Sequence, residues 1–210
     1  MTATDPQSYL DLVDWRRRVG DLYRITGPDA LERFRAGRDE LFRTHPQSPI
    51  EPDERVMFAG LHYFDSDPSY RVRAALAAGD GSELVIDTGG EDGAVRYRRV
   101  ATLNFSLQGQ PCELTVFSLV QYAGGLFVPF RDATSGHETY GGGRYLFDTA
   151  KGTDGLVLDI TTGSSDVTID LNFAYNASCA YSPRWACPLA PPENHLKVAV
   201  RAGEKIYKSY

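Results

Sequence analysis

Hydrophobic residues recur along this chain with two different periods. In the first quarter they fall at helical spacing, as do Tyr9, Leu12 and Val19, which places them on one face of a helix. Further along they alternate with polar residues, as Leu103 and Phe105 do, and this is the period of a half-buried strand. The pattern therefore predicts a helical segment followed by a β-rich body.

The predicted helical hairpin covers residues 6–45. Asp5 followed by proline is typical of a helix start, and the Gly-Pro pair at 27–28 separates the two helices. The second helix ends before Pro46, because a residue that precedes proline is disfavoured in the helical region. Arginines lie between the apolar positions of this helix, and we interpret them as a solvated face. They include Arg33, Arg35 and Arg38.

Residues 46–68 hold four prolines and predict an irregular connector. Residues 69–210 predict a β-rich body with a turn at 108–111. Its strand candidates are 70–76, 83–87, 95–100, 103–107, 113–120, 126–130, 144–147, 156–160, 167–173 and 196–200. Short strands at close spacing imply an antiparallel sheet that curls or pairs with a second sheet. The expected fold is mainly β (α+β): an antiparallel β-barrel or sandwich preceded by the helical hairpin, in a single domain of residues 1–210.

Composition narrows the class of protein. A chain of 210 residues buries roughly 70% of its unfolded surface, so an ordinary core suffices. The net charge of -6 argues against nucleic acid and anionic membranes as partners, because both favour a positive surface. No apolar run reaches membrane-spanning length and the start lacks a signal-peptide pattern, so we expect a cytoplasmic protein. The oligomeric state is left open.

Two segments are unusually rich in polar side chains, residues 121–145 and 170–194. The second includes a long predicted loop, 174–195, and loops of that length are usually functional or disordered. Its aromatic residues and cysteines argue against disorder. We therefore expect the two segments to line one pocket at a mouth of the barrel.

Glycines in the first segment indicate a site for an anionic group. The triple glycine centred on Gly142 lets main-chain N–H groups approach a ligand, with Arg131 and Arg144 as charged donors. The alternative is a wide loop closed by an ion pair, Arg131–Asp132 or Arg144–Glu138. The residues predicted to bind the substrate are Arg131, Thr134, Ser135, Gly142, Arg144, Tyr145, Asn172, Tyr175 and Asn176.

The same segment offers candidate catalytic groups. Glu138 or Asp132 is expected to transfer a proton, and Glu138 suits this role if it is buried, because burial raises a carboxyl pKa toward neutrality. Tyr140 is expected to position the substrate. His137 is interpreted as an exposed loop residue. No nucleotide-binding glycine motif is present, so no cofactor is expected.

Three cysteines leave several interpretations open. Cys179 and Cys187 are compatible with a disulfide, with a nucleophile beside a second thiol, or with two inert buried thiols, and Cys179 is the candidate nucleophile. No metal site is predicted, because the four histidines show no ligand spacing. Convergence of His137, Glu138 and His195 in space is the remaining alternative.

Three stretches carry a family resemblance: FVPFRDATSG at 127–136, TYGGGRY at 139–145 and DLNFAYN at 170–176. With them the chain resembles a bacterial family known only as a domain of unknown function, numbered sixteen eighty-four. RDELF at 38–42 and CPLAPPEN at 187–194 are similar to the family's terminal signatures.

The resemblance spans nearly the whole chain and implies a single domain, but it brings no activity, cofactor or catalytic residue. It implies that the two polar segments are a family hallmark, either as a shared site or as a network that locks the fold. Ala177 departs from the pattern, in which a proline is usual.

The leading functional hypothesis is a small-molecule enzyme, a hydrolase or lyase without a redox cofactor, whose pocket takes an anionic substrate. Two alternatives remain. One is a non-catalytic module that binds a small ligand in the same pocket, and the other is a structural protein whose polar segments only satisfy one another.

Overall fold

The protein is a curled, mostly antiparallel half-barrel with a helical region at its N-terminus, seen in a computed structural model. The structure describes residues 5–89, 93–120, 124–155, 157–160 and 164–207. Predicted positions 121–123 and Leu156 lie outside the described residues. The expected fold class, an antiparallel β-body preceded by a helical hairpin, is confirmed.

Three helices precede the sheet: α1 (Pro6–Leu22), α2 (Ala30–Thr44) and α3 (Pro52–Arg55). The side chain of Asp5 caps α1 by accepting a hydrogen bond from the Gln7 N–H at 3.0 Å. α2 ends because His45, which precedes a proline, takes an extended conformation with ψ of 137°. The predicted hairpin is confirmed, and the connector of residues 46–68 contains the short α3.

In the part of the chain that the structure describes, nine strands follow in one sheet. They are β1 (Arg71–Ala78), β2 (Glu83–Asp87), β3 (Ala94–Leu107), β4 (Gln110–Leu119), β5 (Leu126–Phe130), β6 (Arg144–Asp148), β7 (Leu158–Ile160), β8 (Asp166–Asp170) and β9 (Tyr175–Asn176). Their order is β7-β8-β1-β3-β4-β5-β6-β9, with β2 paired to β3. The two predicted strands at 95–100 and 103–107 are a single long strand, β3.

A two-residue turn joins β3 to β4. Gln108 and Gly109 both have positive φ, 52° and 74°, which matches the right-handed twist of the flanking strands. The register pairs Leu107 with Gln110. The turn predicted at 108–111 is confirmed.

The hydrophobic core lies between the inner face of the sheet and the helical hairpin. Tyr23, which follows α1 directly, contacts Phe34 of α2 edge to face at 4.7 Å between ring centroids, and Phe34 in turn contacts Phe173 at 5.0 Å. These rings anchor the hairpin over the half-barrel, and edge-to-face contacts of this kind add stability beyond simple burial.

The C-terminal segment, residues 192–206, covers the other face of the sheet, so that β5 and β6 are buried on both sides. Asn194 binds across to β4 and β5: its Oδ1 accepts from Thr115 N–H at 2.8 Å, and its Nδ2 donates to the carbonyls of Thr115 and Pro129 at 3.0 and 2.8 Å. The side-chain amide of Asn194 thus makes the main-chain hydrogen bonds that a neighbouring strand would otherwise make.

The strand predicted at 196–200 is wrong, although its alternation of buried and exposed residues is correct. Leu196, Val198 and Val200 are buried, but the main chain pairs with a loop and with side chains: Leu196 N–H donates to the Arg131 carbonyl at 2.8 Å, and Val200 N–H donates to Asp132 Oδ1 at 3.1 Å. The predicted strand 167–173 is also shorter, because its last three residues form a 3₁₀ turn.

Candidate functional site

Most of the predicted site residues lie in three separate places rather than in one pocket, and Asn172 and Glu138 lie outside all three. A buried network holds the loop between β5 and β6, a shallow groove lies on the outside of that loop, and a larger cavity lies between the helical hairpin and the inner face of the sheet. Each place is described from its residues below.

Arg144 is at the centre of the buried network, and its side chain is 0% exposed. Its Nη2 donates to Asp132 Oδ2 at 2.9 Å and to the Val200 carbonyl at 2.8 Å. Its Nη1 donates to the carbonyls of Ala202 and Glu204. The guanidinium therefore binds the C-terminal segment to β6, and its burial lowers the pKa of Arg144.

Asp132 ties the network to the loop. Its Oδ1 accepts from both Thr134 N–H and Thr134 Oγ1, at 2.8 and 2.6 Å. The Thr134 hydroxyl also lies 2.9 Å from that of Thr139. The groups expected to bind substrate or transfer a proton here, Arg144, Asp132 and Thr134, are thus engaged with one another, as in the fold-locking alternative.

Glu138 differs from its expected environment. Its side chain is 40% exposed and its carboxylate accepts from Arg201 at 3.0 Å. The hydrogen bond from Arg201 lowers the pKa of Glu138, against a smaller effect of burial. The condition under which Glu138 would suit proton transfer, burial with a raised pKa, is therefore not met. The ion pairs are Arg144–Asp132 and Arg201–Glu138, instead of the two pairings weighed from the sequence.

The triple glycine packs the loop tightly. A Cβ on Gly142 would lie 2.5 Å from the Tyr140 ring, and a Cβ on Gly143 would lie 2.5 Å from the Phe130 carbonyl oxygen. Gly143 also has a φ of +91°, which other residues rarely adopt. These positions need glycine for close approach within the protein.

The groove on the outside of this loop has a volume of about 360 Å³, and we call it the basic groove. Arg131, Ser135, His195 and Lys197 line it, together with Asp132, Ala133 and Leu196. Arg131 and His195 lie close together because the main chain at Arg131 pairs with the main chain at His195 in an isolated β-bridge. This part of the predicted anion site, Arg131 with Ser135, stays together in the structure.

Asn172 lies apart from the buried network and from the basic groove. Its Nδ2 donates to the Asp67 carbonyl and to Asp170 Oδ1, each at 2.9 Å, and its Oδ1 accepts from Asp67 N–H at 3.2 Å. It joins the connector to the end of β8.

The cavity under the helices has a volume of about 670 Å³, and we call it the hairpin cavity. α1, α2, strands β3 to β6 and residues 175–188 form its wall, which is mainly apolar and aromatic. Among its lining residues are Leu12, Trp15, Val19, Phe42, Tyr97, Phe127, Tyr145, Tyr175 and Trp185. Its size and composition are those of small-molecule sites.

Three predicted substrate-binding residues line the hairpin cavity: Tyr145, Tyr175 and Asn176. The Tyr145 hydroxyl donates to the Pro188 carbonyl at 2.7 Å, and the Tyr175 hydroxyl lies 2.9 Å from Thr153 Oγ1. Asn176 Oδ1 is buried and, among the described residues, has no hydrogen-bond partner. An unpaired buried acceptor is costly unless a ligand or water supplies a donor.

Arg38 also lines the hairpin cavity, which the sequence did not indicate. Its side chain is only 7% exposed and donates to Glu204 at 2.9 Å, to Tyr63 at 3.2 Å and to Tyr181 at 3.4 Å. The interpretation of Arg38 as part of a solvated face is therefore wrong. Burial raises the pKa of Glu204, against the lowering effect of Arg38. Helical periodicity placed Arg38 among polar neighbours, but all its partners lie outside the helix, and two of them, Tyr181 and Glu204, are more than 140 residues further along the chain.

Cys179 and Cys187 meet beside the cavity. Cys187 lines its wall, and the Tyr140 hydroxyl donates to Cys179 Sγ at 3.5 Å. Interaction between the two thiols lowers the pKa of Cys187 to about 6 and raises the pKa of Cys179. All three cysteines are free thiols. The 174–195 loop is accordingly ordered by β9 and by 3₁₀ turns at 178–180 and 192–194.

The described residues offer neither a cluster of metal ligands nor a membrane-spanning helix. Within them, no group of three or more His, Cys, Asp or Glu side chains is placed to hold a metal ion. His195 lines the basic groove, whereas Glu138 binds Arg201. No helix in the described part of the chain has the length and apolar character needed to cross a membrane.

Comparison with known proteins gives a family but no activity. Residues 56–205 match the family model described as a protein of unknown function, DUF1684. The solution NMR structure of an uncharacterized protein from Haloarcula marismortui is similar, with a TM-score of 0.61 and 39% sequence identity over 93% of this chain and 96% of that one. No curated protein matches the chain. The chain belongs to the DUF1684 family of proteins of unknown function.

Proposed function

We propose that the protein binds a small, largely apolar molecule in the hairpin cavity. The observation that carries this proposal is the cavity itself, about 670 Å³ of space walled by aromatic rings and by both tryptophans of the chain, Trp15 and Trp185. A pocket of this size that is lined mainly by apolar and aromatic side chains is typical of small-molecule binding sites. The ligand-binding alternative raised from the sequence therefore becomes the leading function.

Polar groups on the wall narrow the class of ligand. Asn176 Oδ1 is a buried acceptor and calls for an N–H or O–H donor on the ligand. Arg16 is exposed at the rim of the cavity and offers positive charge to an anionic substituent. The proposed ligand is thus an aromatic or aliphatic molecule with a hydrogen-bond donor and an anionic group.

Binding is favoured over catalysis because titratable groups on the wall are engaged with protein atoms. Asp148 accepts from Ala150 N–H at 3.1 Å and pairs with Lys151 at 3.3 Å. Tyr145 and Tyr175 bond to a carbonyl and to a hydroxyl, as described above. Hydrolase or lyase activity stays a prediction, as does a cytoplasmic location.

The test uses 8-anilinonaphthalene-1-sulfonate, an aromatic anion, as probe and the two tryptophans as reporters. We expect one probe molecule per chain and quenching of tryptophan emission, because Trp15 and Trp185 both line the cavity. Val19→Phe narrows the cavity and should weaken binding. Val13→Phe is the matched control, since Val13 lies on the same helix and is 46% exposed.

The outcomes separate cleanly. Weaker binding by the Val19 variant alone, with both variants folded, supports the proposal. Equal binding by the two variants, or binding of many probe molecules per chain, would contradict it.

A second candidate function is anion binding at the basic groove, favoured by the convergence of Arg131, His195 and Lys197 in a chain of net charge -6. Asp132, which also lines the groove, is neutralised by Arg144. Calorimetry with inorganic phosphate tests this. Arg131→Gln should weaken binding about tenfold, whereas the charge-matched Arg17→Gln should not. An equal effect of both variants would show that net charge alone is responsible.

A further inference from the structure

One end of the hairpin cavity is polar, whereas most of its wall is apolar. Arg38, Asn176 and Tyr181 meet there, and all three line the cavity. A single carboxylate holds them together, since Glu204 Oε2 accepts from Arg38 Nη2 at 2.9 Å and from the Asn176 main-chain N–H at 3.0 Å. Glu204 Oε1 accepts from the Tyr181 hydroxyl. We call these four residues the polar end of the cavity.

Arg38 has further donor groups at the polar end. In the part of the chain that the structure describes, its hydrogen bonds run from Nε to the Tyr63 hydroxyl at 3.2 Å and from Nη2 to Tyr181 and Glu204. A guanidinium carries five N–H groups, and these bonds leave both N–H groups of Nη1. The central carbon of the guanidinium lies 5.4 Å from the centroid of the Tyr175 ring, which also lines the cavity. Nη1 is therefore able to donate to an acceptor inside the cavity.

Asn176 supplies the complementary acceptor. Its Nδ2 donates to the Lys205 carbonyl at 2.8 Å, and this bond identifies which end of the amide is the nitrogen and which is the oxygen. Among the described residues, Oδ1 has no hydrogen-bond partner, although Asn176 is only 2% exposed. An unpaired buried acceptor is costly. The polar end thus offers both a donor and an acceptor to a molecule in the cavity.

The charges of the polar end already balance each other. Arg38 and Glu204 form an ion pair at 2.9 Å, with side chains that are 7% and 1% exposed. A ligand anion bound here would place a second negative charge close to Glu204, and burying an uncompensated charge is expensive. An uncharged group with both a lone pair and a proton suits this place, and a hydroxyl is such a group.

We infer that the polar end binds a hydroxyl group of the ligand, which donates to Asn176 Oδ1 and accepts from Arg38 Nη1. The ligand class is accordingly a phenol or alcohol whose apolar body lies along the aromatic wall and whose anionic group lies near Arg16 at the rim. Asn176 and Arg38 are then the residues that determine specificity. This inference rests on the proposed binding in the hairpin cavity, and it adds the group bound at the buried end and the direction in which the ligand lies.

Three related probes separate recognition of the hydroxyl from binding in the cavity as such: 2-naphthoate, 6-hydroxy-2-naphthoate and 6-methoxy-2-naphthoate. Each is titrated into the full chain by calorimetry near neutral pH, where a phenolic hydroxyl keeps its proton. All three probes carry the aromatic body and the carboxylate, but only the hydroxyl probe can both donate and accept at its far end. We expect it to bind about tenfold more tightly than the other two, because it gives the buried acceptor a donor.

Asn176→Ala tests the acceptor. It should abolish the preference for the hydroxyl probe and leave the binding of 2-naphthoate nearly unchanged. Asn172→Ala is the matched control, because Asn172 is also buried, at 4% exposed, and its Nδ2 likewise donates to a main-chain carbonyl. Asn172 joins the connector to β8 and does not line the cavity, so this variant should keep the preference.

Arg38→Lys tests the donor. It keeps a positive charge beside Glu204 but removes the second terminal nitrogen, so it should reduce the preference for the hydroxyl probe as well. A full preference in this variant would overturn the role of Arg38. Far-UV circular dichroism of each variant shows that it is folded.

Failure of this inference differs from failure of the proposed function. If none of the three probes binds, the proposed function fails and the inference fails with it. If all three bind the wild type equally, or if Asn176→Ala and Asn172→Ala change the preference alike, the inference is overturned while binding in the cavity stands. The wild-type comparison needs no variant, so it decides the matter even if Asn176→Ala does not fold.

Discussion

Replacing Asp132 by asparagine removes the negative charge from the buried pair while it keeps the side-chain shape. The amide oxygen retains its acceptor role toward Thr134 and Val200, but the amide nitrogen, a donor, would face the Arg144 donor now 2.9 Å from Asp132 Oδ2. Arg144 would keep its carbonyl acceptors and lose its counter-ion. Breaking a buried pair on one side costs about 3–5 kcal/mol.

Urea unfolding, followed by tryptophan emission and circular dichroism, measures this cost. With an m-value of about 2–3 kcal/mol/M, the midpoint should fall by roughly 1–2.5 M. Glu138→Gln is the matched control, also a carboxylate-to-amide change in an ion pair, but one that is exposed to solvent. Its midpoint should hardly move, because exposed pairs contribute little.

Equal midpoints for the two variants would refute the view that Arg144 and Asp132 lock the fold. If Asp132→Asn fails to fold, Thr134→Val gives a milder test. It removes the hydroxyl that donates to Asp132 at 2.6 Å and should cost about 1 kcal/mol. No change in that variant would count against the network.

Gly143→Ala should destabilise the protein more than Gly136→Ala. Both positions have positive φ. A Cβ at residue 143 would lie 2.5 Å from a carbonyl oxygen, whereas a Cβ at residue 136 would have no atom within 4 Å. Equal melting temperatures of the two variants would contradict the packing argument. For Glu138, the folded-state pKa is lowered, so its contribution to stability is present above the unfolded-state pKa and is lost as the pH falls through the folded value. The difference in unfolding free energy between wild type and Glu138→Gln should thus shrink from about pH 6 to about pH 3, and a difference that grows would contradict the sign. Iodoacetamide should label Cys187 faster than Cys112, because interaction with Cys179 lowers the pKa of Cys187 to about 6 whereas burial raises the pKa of Cys112. The labelling rate of Cys187 should rise through about pH 6, and a rate that rises only near pH 9 would contradict the lowered pKa.

The sequence predicts the fold well where local signals decide it. Proline, glycine and capping residues mark the hairpin, and short runs of strand-forming residues predict β2 and β5 at their observed bounds. It is less informative at residues 196–200, because alternation reports burial and does not reveal whether the main chain pairs with a strand or with Asp132. The periodicity of hydrophobic residues does not specify which groups the main chain hydrogen-bonds to.

The same limit applies to the prediction of the candidate site. Tyr145, Tyr175 and Asn176 were predicted to bind a ligand and do line the hairpin cavity, whereas the polar residues around Arg144 were attributed to the same pocket and instead bind one another. A high density of polar side chains indicates an ordered network, but it does not distinguish a ligand-binding site from a network that stabilises the fold. Arg38 was missed because its partner, Glu204, is far along the chain.

The dependence of Arg144 on the carbonyls of Val200, Ala202 and Glu204 has a consequence for how the protein is made. During synthesis on the ribosome the helices and every strand emerge before these three residues. Until they appear, the Arg144 cation has no carbonyl cage to enter and β6 has no cover on its outer face. Native packing must therefore wait until Val200, Ala202 and Glu204 have been translated, and a nascent chain stalled ahead of Val200 should remain sensitive to protease.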